Sequence, residues 1–223
     1  MDQVIENPDL NKDVWYNKTK EHWENAESTI KAVLGGNDQV HLIDLKASCE
    51  MIEGLILSKK MNTKRVLDCG AGIGRVTENV LINYFDECDL VEQDEKFVQH
   101  SKSALGTNHK VKNFYQSSLQ DFNFSKSYNV IWIQWIIENI SDDDLITFLV
   151  KCGSALENDG YIIIKENVVK KGTKFWQEDY SKIRSDAVFK KIFKSAGLKL
   201  YKHFPHPNWP SDLINVVVFI LKK

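Results

Sequence analysis

Stretches whose apolar residues recur at helical spacing alternate with short runs that read as strands. Residues 1–12 form a polar opening without either pattern. From Val14 onward, Trp15, Tyr16, Thr19, His22, Trp23, Ala26, Ile30, Val33 and Leu34 predict one helical stretch that ends at Gly35-Gly36. A second helix is expected from about Ile43 to Leu57, with Ile43, Ala47, Met51, Leu55 and Ile56 on one face. From Lys64 the period switches back and forth. Strands are expected at 65–68, 88–92, 111–115 and 128–133, with helices near 75–84 and 95–104. Ser141-Asp-Asp-Asp144 reads as a capping-box variant opening a helix whose inner face is Leu145, Phe148, Leu149 and Cys152. Gly160 to Ile164 is a short apolar run and reads as a buried strand. Residues 168–178 suggest a small hairpin over the site, 180–195 a helix ended by Gly197, and 198–204 and 213–221 two final strands.

Alternating strands and helices predict an α/β fold, a doubly wound and mostly parallel sheet flanked by helices. Residues 1–60 read as a helical extension covering the site, and 61–223 as the main domain. Ligands of such sheets bind beyond the C-terminal ends of the strands. Asp68, Glu92, Gln134 and Glu166-Asn167 all fall at such ends, far apart in sequence but converging on one crevice.

Composition narrows the partners. Lys plus Arg is 29 against 31 for Asp plus Glu, a formal net charge of -2, so no wholesale attraction to nucleic acid is expected. The four cysteines lack CxxC spacing and read as reduced residues of an intracellular protein. The six histidines are scattered, so no metal is expected. No apolar run reaches membrane-spanning length, and the acidic opening is not a secretory signal.

Chemistry concentrates in Asp68-Cys-Gly70-Ala-Gly72-Ile-Gly74-Arg75, where a strand end turns through alternating glycines into a helix. Glycine suits both a sharp turn and a ligand pressed against backbone. The strict dinucleotide spacing fails, because the third glycine position is Arg75 counted from Gly70 and Thr77 counted from Gly72. Glu92 stands at the end of the next strand, where a carboxylate can take both hydroxyls of a ribose. This combination resembles the S-adenosylmethionine site of a class I methyltransferase, with its Rossmann-like seven-stranded sheet. Together with Leu119-Gln-Asp-Phe122, Val130-Ile-Trp-Ile-Gln-Trp-Ile-Ile137, Ile163-Ile-Lys-Glu-Asn167 and Trp15 to Trp23, the chain resembles the eukaryotic protein alpha-N-terminal methyltransferases. Those enzymes methylate the free amine of proteins beginning with a short X-Pro-Lys motif.

The resemblance implies a role for each matching residue. Gly70 and Gly72 would approach the cofactor, beside the strand-end Asp68, and Arg75 would pair with its methionyl carboxylate. Glu92, in place of the usual aspartate, would serve the ribose; Leu119 and Gln120 would flank the adenine, and Gln134 would hold the methionyl part. Trp135 would pack on the substrate's second-position proline, with Trp23 along the same channel, and Asn167 would bind the substrate backbone near the amine. It further implies a monomer of nucleus and cytoplasm that acts on protein N-terminal segments, releases S-adenosylhomocysteine, and uses neither nucleic acid nor membrane.

Three further positions depart from the family pattern. Asn139 replaces a histidine that would accept a proton, which leaves Asp179 in that role, with His22 in the extension as a conceivable helper. Trp176 replaces an acid that reads the substrate's third-position lysine, with Glu178 or Asp179 as the acidic substitute. Ile214 replaces a tyrosine of the peptide channel. An alpha-amine, with a reference pKa of about 7.7–8.0, carries a substantial neutral fraction near pH 7. Two other readings stay open at this point: a small-molecule methyltransferase, and a binding module for protein N-termini.

Overall fold

The computed structural model describes residues 11–223. The expected polar opening therefore lies outside the described residues, except that Asn11 and Lys12 already start a helix. That helix, α1 (Lys12–Asn25), is capped by the Asn11 side chain accepting from the Asp13 N–H. The single helical stretch expected to reach Leu34 is instead broken. The backbone is extended at Ala26, and the Thr29 hydroxyl accepts from the Ala32 N–H to open a separate short helix, α2 (Ile30–Val33). A threonine that can satisfy a helix N-terminus competes with continuation of the helix before it.

Helix α3 (His41–Leu57) follows, and its most buried positions are Asp44, Ser48, Ile52 and Leu55. The expected face over Ile43, Ala47 and Met51 is only half-buried. The helix is turned by about one residue, and the cause is the Asp44 carboxylate described below.

The main sheet orders its strands β3 (Val111–Gln116), β2 (Glu87–Glu92), β1 (Arg65–Cys69), β4 (Tyr128–Gln134) and β5 (Leu156–Val169), all parallel. The C-terminal pair β8 (Lys199–Pro205) and β9 (Val216–Lys222) completes it, β9 running antiparallel to both β5 and β8. This is the expected seven-stranded, mostly parallel sheet. The hairpin of β6 (Thr173–Trp176) and β7 (Ser181–Ser185) adds to it, with β7 beside the last residues of β5. The hairpin thus spans 173–185, overlapping the expected 168–178 but extending further toward the C-terminus. The helix expected over 180–195 begins only at Asp186, as α7 (Asp186–Ser195). Ser181 to Ser185 pair with β6 and bury Arg184 completely, and those contacts outweigh the local apolar pattern of Ile183, Val188, Ile192 and Phe193.

Both faces of the sheet are covered, and strand alternation assigns the side chains. Val130 and Trp132 of β4 pack with Ile52 and Leu55 of α3 and with Val76 and Val80 of the helix over 75–84. That helix holds a π turn at Thr77–Leu81 and ends as α4 (Ile82–Tyr84). Ile131 and Ile133 face the opposite way, onto α6 (Asp142–Ser154) and Phe189 of α7. Helix α5 (Glu95–Leu105) links β2 to β3 and is capped by Asp94. The C-terminal ends of β1, β2, β4 and β5 therefore open onto one crevice, under α1 and α2.

Candidate functional site

The glycine turn after β1 is stapled to the end of β2. The Gly70 and Ala71 N–H groups donate to the Val91 carbonyl, and the Gly72 N–H donates to Glu92 Oε2 at 2.8 Å. All three glycines have positive φ, for different reasons. A Cβ on Gly70 would strike Ile136, and one on Gly74 would come within 2.9 Å of Leu105, so these two serve contacts within the chain. Around Gly72 the space is open as far as Val33, 4.0 Å away, and backbone is presented there to a ligand. Glu92 is buried, which pushes its carboxyl up, while the Asp94, Gly72 and Gln93 N–H groups pull it back. Asp68 accepts the Thr77 hydroxyl at 2.7 Å, and burial raises its carboxyl to about 6.

Beneath the turn, α3 supplies a wholly buried charge. The Asp44 carboxylate accepts from Arg75 Nη1 at 2.9 Å, from Gln134 Nε2 at 2.9 Å and from the buried Lys165 ammonium; His206 Nε2 lies 3.7 Å away. Burial works against this charge, but Lys165, His206 and Arg75 more than offset it and hold the carboxyl below the usual range. Gln134 Oε1 accepts from Trp132 Nε1 at 3.1 Å, as expected for two residues on one strand face. Gln134 and Arg75 are thus fixed by groups remote in sequence.

Two cavities meet at Gly70, Glu92, Gln93 and Ile136. The first is walled by Asp68, Gly72, Arg75, Gln134 and Trp135, with Trp23, Val33 and Phe97 closing it from the extension and α5. The second runs past Leu119 and Gln120 to Asn139, with Tyr16 and Thr19 of α1 opposite. Helix α1 is tied down at both ends. Tyr16 Oη donates to Asp144 at 2.5 Å and accepts from the Ser141 N–H at 3.0 Å, while Lys96 holds the carbonyls of Trp23, Glu24 and Ala26. Ser141 does cap α6, accepting from Asp144 N–H, but the reciprocal half of the box is relayed through that tyrosine.

Beyond Trp135 the chemistry changes. Trp135 itself has φ +52°, an uncommon conformation for a bulky residue, and its ring lies 5.4 Å from the Arg75 guanidinium and 5.9 Å from Trp209. Asn167 Nδ2 donates to Glu138 at 3.2 Å, and Asp179, in the hairpin turn, also faces Glu138. Burial, then the Asp179 charge, raises the Glu138 carboxyl to about 7. Burial and the Glu138 charge push Glu166 well up. Asn139 is buried, and its Nδ2 has no partner among the described residues. Trp176 is half-buried on β6 with Lys174 over its ring, Glu178 is exposed, and the Ile214 carbonyl accepts from Trp209 Nε1. His22 stacks edge-on against Trp23 and lines neither cavity.

The structure thus brings Asp68, Gly70, Gly72, Arg75, Glu92 and Gln134 to one cavity, and Leu119 and Gln120 to its neighbour. Asn167 hydrogen-bonds Glu138, a residue that no local motif marks, and the charge of Asp179 acts on the same carboxyl. S-adenosylmethionine suits this donor set, with a bare backbone cradle at Gly72, a strand-end carboxylate for a ribose, an arginine for a carboxylate, and apolar walls between them.

A family described as AdoMet-dependent proline di-methyltransferase matches residues 11–222. The chain belongs to this family. Alpha N-terminal protein methyltransferase 1 of Dictyostelium discoideum is 40% identical over 218 residues, covering 95% of this chain and 81% of the relative. Human N-terminal Xaa-Pro-Lys N-methyltransferase 1 is 36% identical over 212 residues, covering 93% and 95%. Among solved structures, a SAM-dependent methyltransferase of Leishmania major superposes with a TM-score of 0.89 at 32% identity, covering 98% of this chain and 88% of that one. The chain is a SAM-dependent methyltransferase, with S-adenosylmethionine as cofactor and S-adenosylhomocysteine as product.

Proposed function

We propose that this enzyme methylates the alpha-amino group of protein N-termini whose second residue is proline. The observation that carries this reading is the Trp135 ring, held in a strained backbone conformation beside the first cavity. There it offers a flat apolar wall one step from the Glu138, Asn167 and Asp179 cluster. A residue kept at positive φ costs about 1–3 kcal/mol and persists where surrounding contacts over-determine it. A proline ring packs on such a wall, and an amine on its N-terminal side is drawn toward the acids.

The bound cofactor supplies an electrophilic methyl on a sulfonium. Arg75 and Gln134, fixed by Asp44, hold the methionyl end, and Glu92 with Gly72 holds the ribose. Leu119 and Gln120 border the cavity suited to the adenine. Asn167 orients the peptide. These groups turn a bimolecular displacement into an aligned one, which is the main source of rate in such a reaction.

Mass spectrometry of a peptide panel tests the reading. The peptides compare free with acetylated N-termini, Pro with Ala at position two, and Lys, Arg and Gln at position three. Mass gain confined to free termini with proline second is expected; gain on acetylated peptides or on small amines alone overturns it. Lysine selectivity at position three is expected to be weaker than an acidic groove would give, because Trp176 stands at the relevant strand and Glu178 is exposed.

A further inference from the structure

Resting on the N-terminal methylation reading, we propose that Glu138 is the catalytic residue that takes the proton from the substrate amine, replacing the base that Asn139 cannot be. Glu138 lies in the short turn of Ile137–Asn139 that follows β4, three residues beyond the Trp135 wall. Its carboxylate accepts from Asn167 Nδ2 at 3.2 Å and 3.5 Å, which points it at the residue that orients the peptide.

The groups facing it come from every neighbouring element: Glu166 and Asn167 from β5, Asp179 from the hairpin turn, and Arg184 from β7. Three carboxyls therefore share this pocket with one guanidinium. That guanidinium is engaged elsewhere, by Asp142 and by the Ile137, Ile140 and Lys182 carbonyls. Burial and this crowding push Glu138 and Glu166 toward their neutral forms, and a cation entering the pocket would draw them back toward carboxylate. One further acceptor, Glu166 Oε2, is buried without a partner among the described residues, in a side chain 0% exposed. An alkylammonium ion supplies what the cluster lacks, a cation with several N–H donors.

Burial and then Asp179 raise the Glu138 carboxyl to about 7, toward the amine's reference value of about 7.7–8.0, which makes it a stronger base than an ordinary carboxylate. An N–H bond of the ammonium breaks and its proton passes to a Glu138 oxygen. The freed lone pair forms the N–C bond to the methyl carbon as the C–S pair returns to sulfur. Glu138 then releases the proton to water. The product is a methylammonium ion, which presents the same problem to the same carboxylate if a second methyl is added.

The test uses the whole protein, S-adenosylmethionine and a free Ala-Pro-Lys peptide, with kcat followed from pH 6 to 9.5. Wild type is expected to gain activity through an ionisation near 7. Glu138→Gln should bind cofactor normally by calorimetry and lose about 10²-fold in kcat at pH 7, within the usual range for general-base loss. Its residual rate should climb with pH through the ionisation of the amine, a change that a merely structural role would not produce. Glu138→Asp should restore a carboxylate-dependent limb. A Glu138→Gln variant within threefold of wild type with the same profile overturns the proposal. If that variant melts far below wild type, wild type decides: no limb near 7 overturns it. A wild type that binds cofactor yet methylates no free terminus overturns the N-terminal methylation reading, and this assignment with it; an active wild type with an equally active variant overturns this assignment alone.

Discussion

The cofactor half and the substrate half of this site are built in opposite ways. On the cofactor side the carboxylates are already answered from within the chain. Glu92 takes three backbone N–H groups, and Asp44 takes Arg75, Gln134 and Lys165. On the substrate side, among the described residues, Trp135 Nε1, Asn139 Nδ2 and Glu166 Oε2 are buried and unmet, and carboxyls gather around Glu138. A preorganised frame suits a cofactor that is the same in every turnover. Unmet donors and acceptors suit a peptide that must supply the missing partners itself.

The sharpest way to break the cofactor half is Asp44→Asn. Removing one partner of a buried ion pair is expected to cost about 3–5 kcal/mol, because Lys165 and Arg75 are left without their anion. For a chain of this size that is a fall on the order of 10 °C in melting temperature, read by calorimetry with and without cofactor. An unchanged melting point would mean the network contributes no net stability. Gly72→Val comes next. It forces a β-branched residue to φ +55° and fills the open space toward Val33, so cofactor affinity should drop by at least about 100-fold in a folded protein. Retained calorimetric binding would remove Gly72 from the cradle.

On the substrate half, Asp179→Asn should leave cofactor binding intact and lower turnover by about tenfold. Its signature is a direction. Asp179 raises the Glu138 carboxyl, so its removal makes Glu138 ionise more easily and moves the pH limb toward acid. A limb that stays put, or moves toward base, contradicts the coupling. The smallest effect is expected from Tyr16→Phe, which strips one hydroxyl from Asp144 and Ser141 and should cost about 1 kcal/mol, measured in urea.

How legible the two halves were follows from how far apart in sequence their partners lie. The glycine turn and its strand-end acids are local signals; Asp68 to Arg75 sit within eight residues and Glu92 ends the adjacent strand. Asp44 was hidden, because its partner Lys165 lies 121 residues away and nothing nearby marks a charge turned inward. The apolar periodicity of α3 consequently suggested a face one residue off. Glu138 was passed over in favour of its neighbour Asn139, where a family histidine was missing; only the tertiary contacts with Asn167 and Asp179 reveal it. The β7 strand failed for a simpler reason. Five residues from Ser181 to Ser185 are too few for a period of two to outweigh a helical pattern that continues into α7.

The position of Asp44 has one more consequence, for how this molecule comes apart. The anion that balances Arg75 and Lys165 belongs to a helix outside the alternating strands and helices, so cutting the chain before β1 strands two buried cations. The extension and the sheet then share one unfolding transition, and heat or denaturant should melt them together, with coincident loss of tryptophan fluorescence and of helical signal.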